Sequence, residues 1–302
     1  MPEKTRLLPP VPYARFALLA TCAAVVLSGC SSYCSHESDP AVEDSSAETR
    51  VMEGAEPVTI DRGRSRACLL MHGFASSPAD FGTLPQKLDA AGWDVYAPRF
   101  PGHGTSPADL AQVSGSEIRA FAEKQYSKLE ARYKTLVVGG FSMGGTLATD
   151  LACSHEPEAL LLISPFYKLT YKPYYVLPPE WWHAILSPFI SRIPAGKAVN
   201  RPEGREELTV YNEMPIPATT ELFALRDEVM EKLDRSPPRC PVLLVYSEND
   251  EVASPRAMRR VFRALPGERK RHVQFSRSNH HLLSDWDRQE AVRAILDFLN
   301  DM

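Results

Sequence analysis

The sequence predicts an α/β fold with a mostly parallel central sheet, helices on both faces and a helical insertion over one end. Three observations predict it. Short apolar runs bounded by turn residues alternate with longer stretches whose apolar residues recur at helical spacing. The pentapeptide Gly140-Phe141-Ser142-Met143-Gly144 falls where one such run passes into a helical stretch. From Phe166 to about Arg235 the rhythm gives way to a segment rich in Pro, Tyr and Trp.

Taken in order, Ala67 to Met71 (ACLLM) reads as a buried strand. Asp80 to Ala91 has helical spacing and ends at Gly92. Asp94 to Ala97 is the next strand. Ser114 with Glu117 forms a capping-box pattern that opens a helix running to about Tyr133. Thr135 to Val138 is a strand, Met143 to Cys153 a helix and Leu160 to Ile163 a strand. After the insertion come Val242 to Tyr246 (strand), Pro255 to Leu265 (helix), His272 to Phe275 (strand) and Asp287 to Leu299 (helix). The insertion carries Pro173, Pro178, Pro179, Pro188, Pro194, Pro202, Pro215 and Pro217, with Trp181 and Trp182. It reads as short helices that cap one end of the sheet. The body is thus expected as a core over residues 51–165 and 236–302 with a cap over 166–235.

The N-terminus is expected to lie outside this body. Lys4, Arg6 and Arg15 precede an apolar run from Phe16 to Leu27, then Ser28, Gly29 and Cys30. A basic flank, a short apolar run and small residues describe an export signal over residues 1–29. The run is too short for a membrane-spanning helix, which needs about 20 residues. Leu27-Ser28-Gly29-Cys30 resembles the lipobox of bacterial lipoproteins, which implies lipid on Cys30 and a membrane-anchored, exported protein. Residues 30–50, rich in Ser, Glu, Asp and Ala, read as a flexible tether.

The formal net charge of −4 argues against a nucleic-acid partner. Cys34, Cys68, Cys153 and Cys240 form no CxxC pair and no zinc spacing. Cys68 and Cys153, in a strand and a small-residue helix, read as buried thiols. No metal or organic cofactor is called for.

The chemistry centres on Ser142. A serine on a sharp strand-to-helix turn projects its hydroxyl from the sheet edge, and glycines on either side give the backbone room. The following helix aims its N-terminal N–H groups at the reaction centre. His72-Gly73-Phe74 directly follows the strand ACLLM. In such an arrangement one oxyanion donor comes from that loop and one from the residue after the nucleophile. The candidates are the backbone N–H groups of Phe74 and Met143, with the His72 side chain fixing the loop. The base and the acid follow the serine in the order acid, then histidine. Among the later histidines, His280 and His281 lie on a loop after the last strand, whereas His272 and His155 read as structural and surface residues. The acid follows the strand VLLVY, where Asp250 is preferred to Glu248 and Glu251.

From about Glu56 to the C-terminus the chain resembles the bacterial carboxylesterase and monoacylglycerol-lipase branch of the α/β-hydrolases. The similar stretches are HGFASSP, AGWDVYAPRFPGHGTSPADL and GGFSMGG. In that family the acid lies in a segment like NDEVASP, five residues before the proline, which implies Asp250 ahead of Pro255. The family's histidine precedes an aspartate by five positions, which implies His280 ahead of Asp285 rather than His281. The resemblance implies hydrolysis of carboxylic esters, with short-to-medium acyl esters or monoacylglycerol-like lipids as substrates. Thioester or amide hydrolysis on the same fold, and a ligand-binding lipoprotein without catalysis, are the rival readings. A substrate panel and labelling of Ser142 by an active-site phosphonate separate them.

Overall fold

Every second residue of a strand faces the same way, so a sheet covered on both faces needs strands that are apolar throughout. The central strands meet that need. Ala67, Leu69 and Met71 join one apolar cluster, while the intervening Cys68 and Leu70 join another on the opposite face. Leu160 and Leu162 alternate with Ala159, Leu161 and Ile163 in the same way, as do Leu244 and Tyr246 with Leu243 and Val245.

The computed structural model describes residues 50–171 and 179–302, which lie in one compact unit, Thr49–Met302. The expected signal, Cys30 and most of the tether fall outside the described residues. Among the described residues seven strands build the main sheet: β1 (Val58–Ile60), β2 (Arg66–Met71), β3 (Asp94–Ala97), β4 (Thr135–Phe141), β5 (Ala159–Ile163), β8 (Val242–Ser247) and β9 (Lys270–Phe275). Their order is β1-β3-β2-β4-β5-β8-β9. All pairings are parallel except β1 with β3. A separate antiparallel pair, β6 (Arg192–Pro194) and β7 (Glu213–Pro215), lies in the insertion. The helices are α1 (Leu84–Ala90), α2 (Pro107–Leu110), α3 (Gly115–Glu130), α4 (Met143–Ser154), α5 (Pro179–Leu186), α6 (Pro202–Glu207), α7 (Ile216–Arg235), α8 (Pro255–Ala264) and α9 (Arg288–Asn300). Residues of α3, α4, α7 and α8 pack on one face of the sheet, and those of α1 and α9 on the other. This is the α/β-hydrolase fold. Among the described residues no helix is long and apolar enough to cross a membrane.

The α3 capping box forms as its sequence predicts. The Ser114 hydroxyl accepts the Glu117 N–H, and the Glu117 carboxylate accepts the Ser114 N–H. Four expectations need correction. The helix expected over Asp80 to Ala91 is a 3₁₀ turn, Pro78–Phe81, followed by α1. Gly82 separates them at φ +48, outside helical backbone, and Pro85 lacks the N–H that a longer helix would need. β1 was not expected, being a three-residue antiparallel edge strand without an alternating pattern long enough to read. The insertion contains more than short helices. Its last helix, α7, has 20 residues, and Leu225, Val229 and Leu233 pack with Ile118, Tyr126 and Leu147. Pro217 falls in its first turn, where the missing N–H is harmless. Finally, Cys68 is buried but Cys153, in the last turn of α4, is only half-buried. Cys68, Cys153 and Cys240 are unbridged.

Candidate active site

β4 ends by delivering the chain into Ser142 at φ +53, ψ −117, a conformation that a residue with a Cβ resists. The surroundings hold it there. The Ser142 N–H donates to Ile163 O at 3.1 Å, while its carbonyl accepts from Gly145 N–H at 2.9 Å and Phe166 N–H at 3.0 Å. Room for the turn comes from missing side chains. A Cβ on Gly144 would stand 1.8 Å from Met71 O, and one on Gly140 would stand 2.1 Å from the Gly144 carbonyl. The elbow therefore packs backbone against backbone, and Ser142 is raised at the N-terminus of α4.

Ser142 Oγ lies 2.9 Å from His280 Nε2, and His280 Nδ1 lies 2.7 Å from Asp250 Oδ2. With the carboxylate accepting at Nδ1–H, Nε2 is left as the acceptor for the serine proton. Asp250 is itself fixed, since its Oδ1 accepts the N–H groups of Val252 and Ala253, each at 2.8 Å. Asn279 ties the two loops together, its side-chain oxygen accepting from Glu251 N–H and His280 N–H. The other acids weighed point away. Glu248 is exposed and lies 3.8 Å from Arg259, and Glu251 accepts from the Asn279 amide. His281 lines the same cavity but makes no hydrogen bond to Ser142. Its Nε2 is 3.7 Å from Asp80 Oδ1.

The loop after β2 completes the arrangement. His72 donates from Nδ1 to Gly73 O at 2.8 Å and accepts the Phe100 N–H at Nε2, at 3.0 Å. These two partners fix its neutral tautomer, and the side chain fixes the loop. The Phe74 N–H makes no hydrogen bond to the described protein, and Met143, as the first residue of α4, has no partner within the helix.

Two residues that support the site carried no motif. Asp80 is buried and accepts Gly73 N–H at 2.8 Å and Ser76 Oγ–H at 2.6 Å. Asp285, read above only as a spacing mark, collects the N–H groups of Asn200, Arg201, Asn279 and Trp286, each within 2.9 Å. The readable signal for Asp80 was an acid inside an otherwise apolar and small-residue loop, SSPADF.

Ser142, Phe74 and His280 open into a cavity of about 240 Å³. Its cap side is apolar, with Ile193, Met214, Leu222 and Phe223 facing Phe166 and Leu169. No carboxylate is among the described lining residues. Among the described residues no group of three or more His, Cys, Asp or Glu is arranged to hold a metal.

Burial shifts four groups near the site. It holds His72 well below the ordinary histidine range, His103 at about 4 and His281 at about 3. It pushes Asp80 up to about 6, against the pull of Ser76 and the Gly73 N–H. A histidine depressed in the fold contributes stability above its unfolded pKa of about 6.5 and loses it as pH falls. Asp80 acts oppositely, stabilising the fold as pH drops from about 6 towards its unfolded value near 4. Three histidines outweigh one aspartate, so the melting temperature is expected to fall between pH 7.5 and pH 5. Scanning fluorimetry across that range checks it, and a rising midpoint would contradict the neutral buried histidines.

The family described as "Serine aminopeptidase, S33" matches residues 63–287. The chain is 29% identical over 248 residues to the thermostable monoacylglycerol lipase of Bacillus sp. (strain H-257), across 82% of this chain and 95% of that one. Among solved structures it is similar to one described under "LipS and LipT, two metagenome-derived lipolytic enzymes", with TM-score 0.75 and 25% identity over 84% of this chain and 100% of that chain. The Paleococcus ferrophilus monoacylglycerol lipase shares the fold, with TM-score 0.67 and 21% identity over 81% of this chain and 98% of that chain. With this fold and a family match over most of its length, the chain belongs to the serine aminopeptidase S33 family of α/β-hydrolases and is a hydrolase.

Proposed function

We propose that the protein is a carboxylic-ester hydrolase that works through an acyl-enzyme on Ser142. The observation that carries this reading is the hydrogen-bonded chain Ser142–His280–Asp250 beside an apolar cavity. His280 Nε2 takes the proton from Ser142 Oγ as the oxygen attacks the ester carbonyl. Asp250 holds the imidazole and supports its positive charge. The N–H groups of Phe74 and Met143 receive the oxyanion, and each such donor is worth about 10²–10³ in rate. When the carbonyl–oxygen bond breaks, His280 returns the proton to the leaving alcohol. A water then attacks the acyl carbonyl as His280 takes its proton, and His280 passes that proton to Ser142 Oγ as the acyl–serine bond breaks and the acid leaves. No metal or cofactor enters this cycle.

The apolar cavity and the relative named as a monoacylglycerol lipase support short-to-medium acyl esters or monoacylglycerol-like lipids as substrates. The family's description favours a second reading, cleavage of N-terminal amino-acid amides. An aminopeptidase needs an anion for the substrate's ammonium group, and the described lining offers none. The ester reading is therefore preferred. We further propose that lipid on Cys30 holds the exported protein at a membrane, on the strength of Leu27-Ser28-Gly29-Cys30.

Hydrolysis of p-nitrophenyl acetate, butyrate, octanoate and palmitate, beside aminoacyl p-nitroanilides, tests the substrate class. Turnover is expected on the esters, best at butyrate or octanoate. Turnover on anilides alone would replace the reading with the peptidase one. For the anchor, labelled palmitate should enter the wild type and not Cys30→Ser. Equal labelling would remove the anchor.

A further inference from the structure

We infer that Asp80 is a positioning residue for the oxyanion hole, its carboxylate holding the Gly73 amide and through it the direction of the Phe74 N–H. The inference rests on the ester-hydrolase reading, in which the Phe74 N–H receives the oxyanion.

Asp80 sits on the Pro78–Phe81 turn with its side chain wholly buried. Next to it in sequence, Phe81 and Leu84 belong to a buried apolar cluster with Leu282. A carboxylate is a poor choice for such a place unless its oxygens are needed, and each oxygen has a job. Oδ2 accepts the Gly73 N–H at 2.8 Å. Oδ1 accepts the Ser76 hydroxyl at 2.6 Å and faces His281 Nε2 at 3.7 Å. Burial pushes its pKa to about 6, so it remains an anion at the mildly alkaline pH of an esterase assay.

The geometry of the peptide explains why this matters. In a trans peptide the carbonyl of Gly73 and the N–H of Phe74 point in opposite directions. His72 Nδ1 holds that carbonyl at 2.8 Å, which turns the Phe74 N–H the other way. One hydrogen bond leaves the peptide free to swing, because glycine carries no side chain to resist rotation. Asp80 supplies the second hold, on the N–H at the other side of the Gly73 Cα. The space beside Gly73 suits glycine, since a Cβ there would lie 3.0 Å from Phe141 and 3.2 Å from Asp80. Oxyanion donors act through preorganisation, so loosening this peptide weakens the transition state and leaves substrate binding alone.

The test measures kcat and KM on p-nitrophenyl butyrate, and inhibition by an alkyl trifluoromethyl ketone, which mimics the tetrahedral intermediate. The full-length protein is used throughout. Asp80→Ala should lower kcat by about 10- to 100-fold with KM within about twofold, and weaken the ketone by a similar factor. Asp80→Asn keeps an oxygen for the Gly73 N–H and should recover most of kcat. Unchanged kcat in Asp80→Ala, or a change confined to KM or to melting temperature, overturns the inference. If Asp80→Ala does not fold, Asp80→Glu and Ser76→Ala carry the test. The first displaces the carboxylate and the second frees it, so native kcat in both, with native melting temperatures, also overturns the inference. Failure of the wild type to cleave any ester, or to be labelled by a fluorophosphonate, sinks the esterase reading instead.

Discussion

Ser142→Ala is expected to abolish ester turnover, by a factor on the order of 10⁶ in kcat, while the fold stays intact. The two halves of this expectation have separate causes. On the proposed mechanism no acyl-enzyme forms without Oγ, and His280, Asp250 and the oxyanion donors then have no nucleophile to serve. The Ser142 side chain makes its hydrogen bond to His280 alone among the described residues, so its loss removes little stability. Alanine also meets the same strain as serine at φ +53. The melting temperature should thus stay within about 2 °C. Steady-state kinetics on p-nitrophenyl butyrate with a thermal melt reads both. Residual turnover above about one per cent would point to a different nucleophile.

Gly144→Ala is expected to fail in the opposite way, by losing the fold. The new methyl would stand 1.8 Å from Met71 O and 2.7 Å from His72 O. Both obstacles are backbone at the end of β2, so no rotamer change relieves the clash. Either β2 separates from α4 or the elbow turn opens. Overpacking that flexible neighbours absorb costs about 1–3 kcal/mol, and this site has no such neighbours. A loss of about 4 kcal/mol or more corresponds to a melting temperature lower by on the order of 10 °C. Loss of soluble protein would agree. A variant with native stability would show that the elbow has slack that its contacts deny.

The central strands were legible because being buried on both faces leaves a blunt mark, as in ACLLM and VLLVY. The elbow was legible because its demands are local, set by a serine, two glycines and a strand-to-helix switch. Asp250 and His280 needed more. Loop position narrowed them to a few residues, and family spacing chose among those. What escaped the sequence depends on contacts between distant segments. β1 exists because Val58 to Ile60 find Ala97 to Val95, and three residues carry too little pattern to announce it. Pro217 disguised α7, although Leu222, Leu225, Val229 and Leu233 keep helical spacing. Asp80 reads as an ordinary turn acid until the fold closes over it. His281 reads as a twin of its neighbour until the backbone turns its ring towards Asp80.

The Asp285 carboxylate has a practical corollary for anyone who would exchange the insertion to change specificity. It grips two insertion amides, Asn200 and Arg201, and the amide just before His280. Beside it, Gly204 of α6 passes so close to Ser284 O that a Cβ would stand 2.0 Å away. The His281 N–H reaches Ala198 O as well. Residues 198–204 therefore travel with the histidine loop rather than with the variable part of the insertion. A chimera cut at the ends of the insertion would discard the mould in which the histidine is cast. One cut between residues 179 and 197 would keep the mould and still replace Ile193 and its neighbours in the cavity wall.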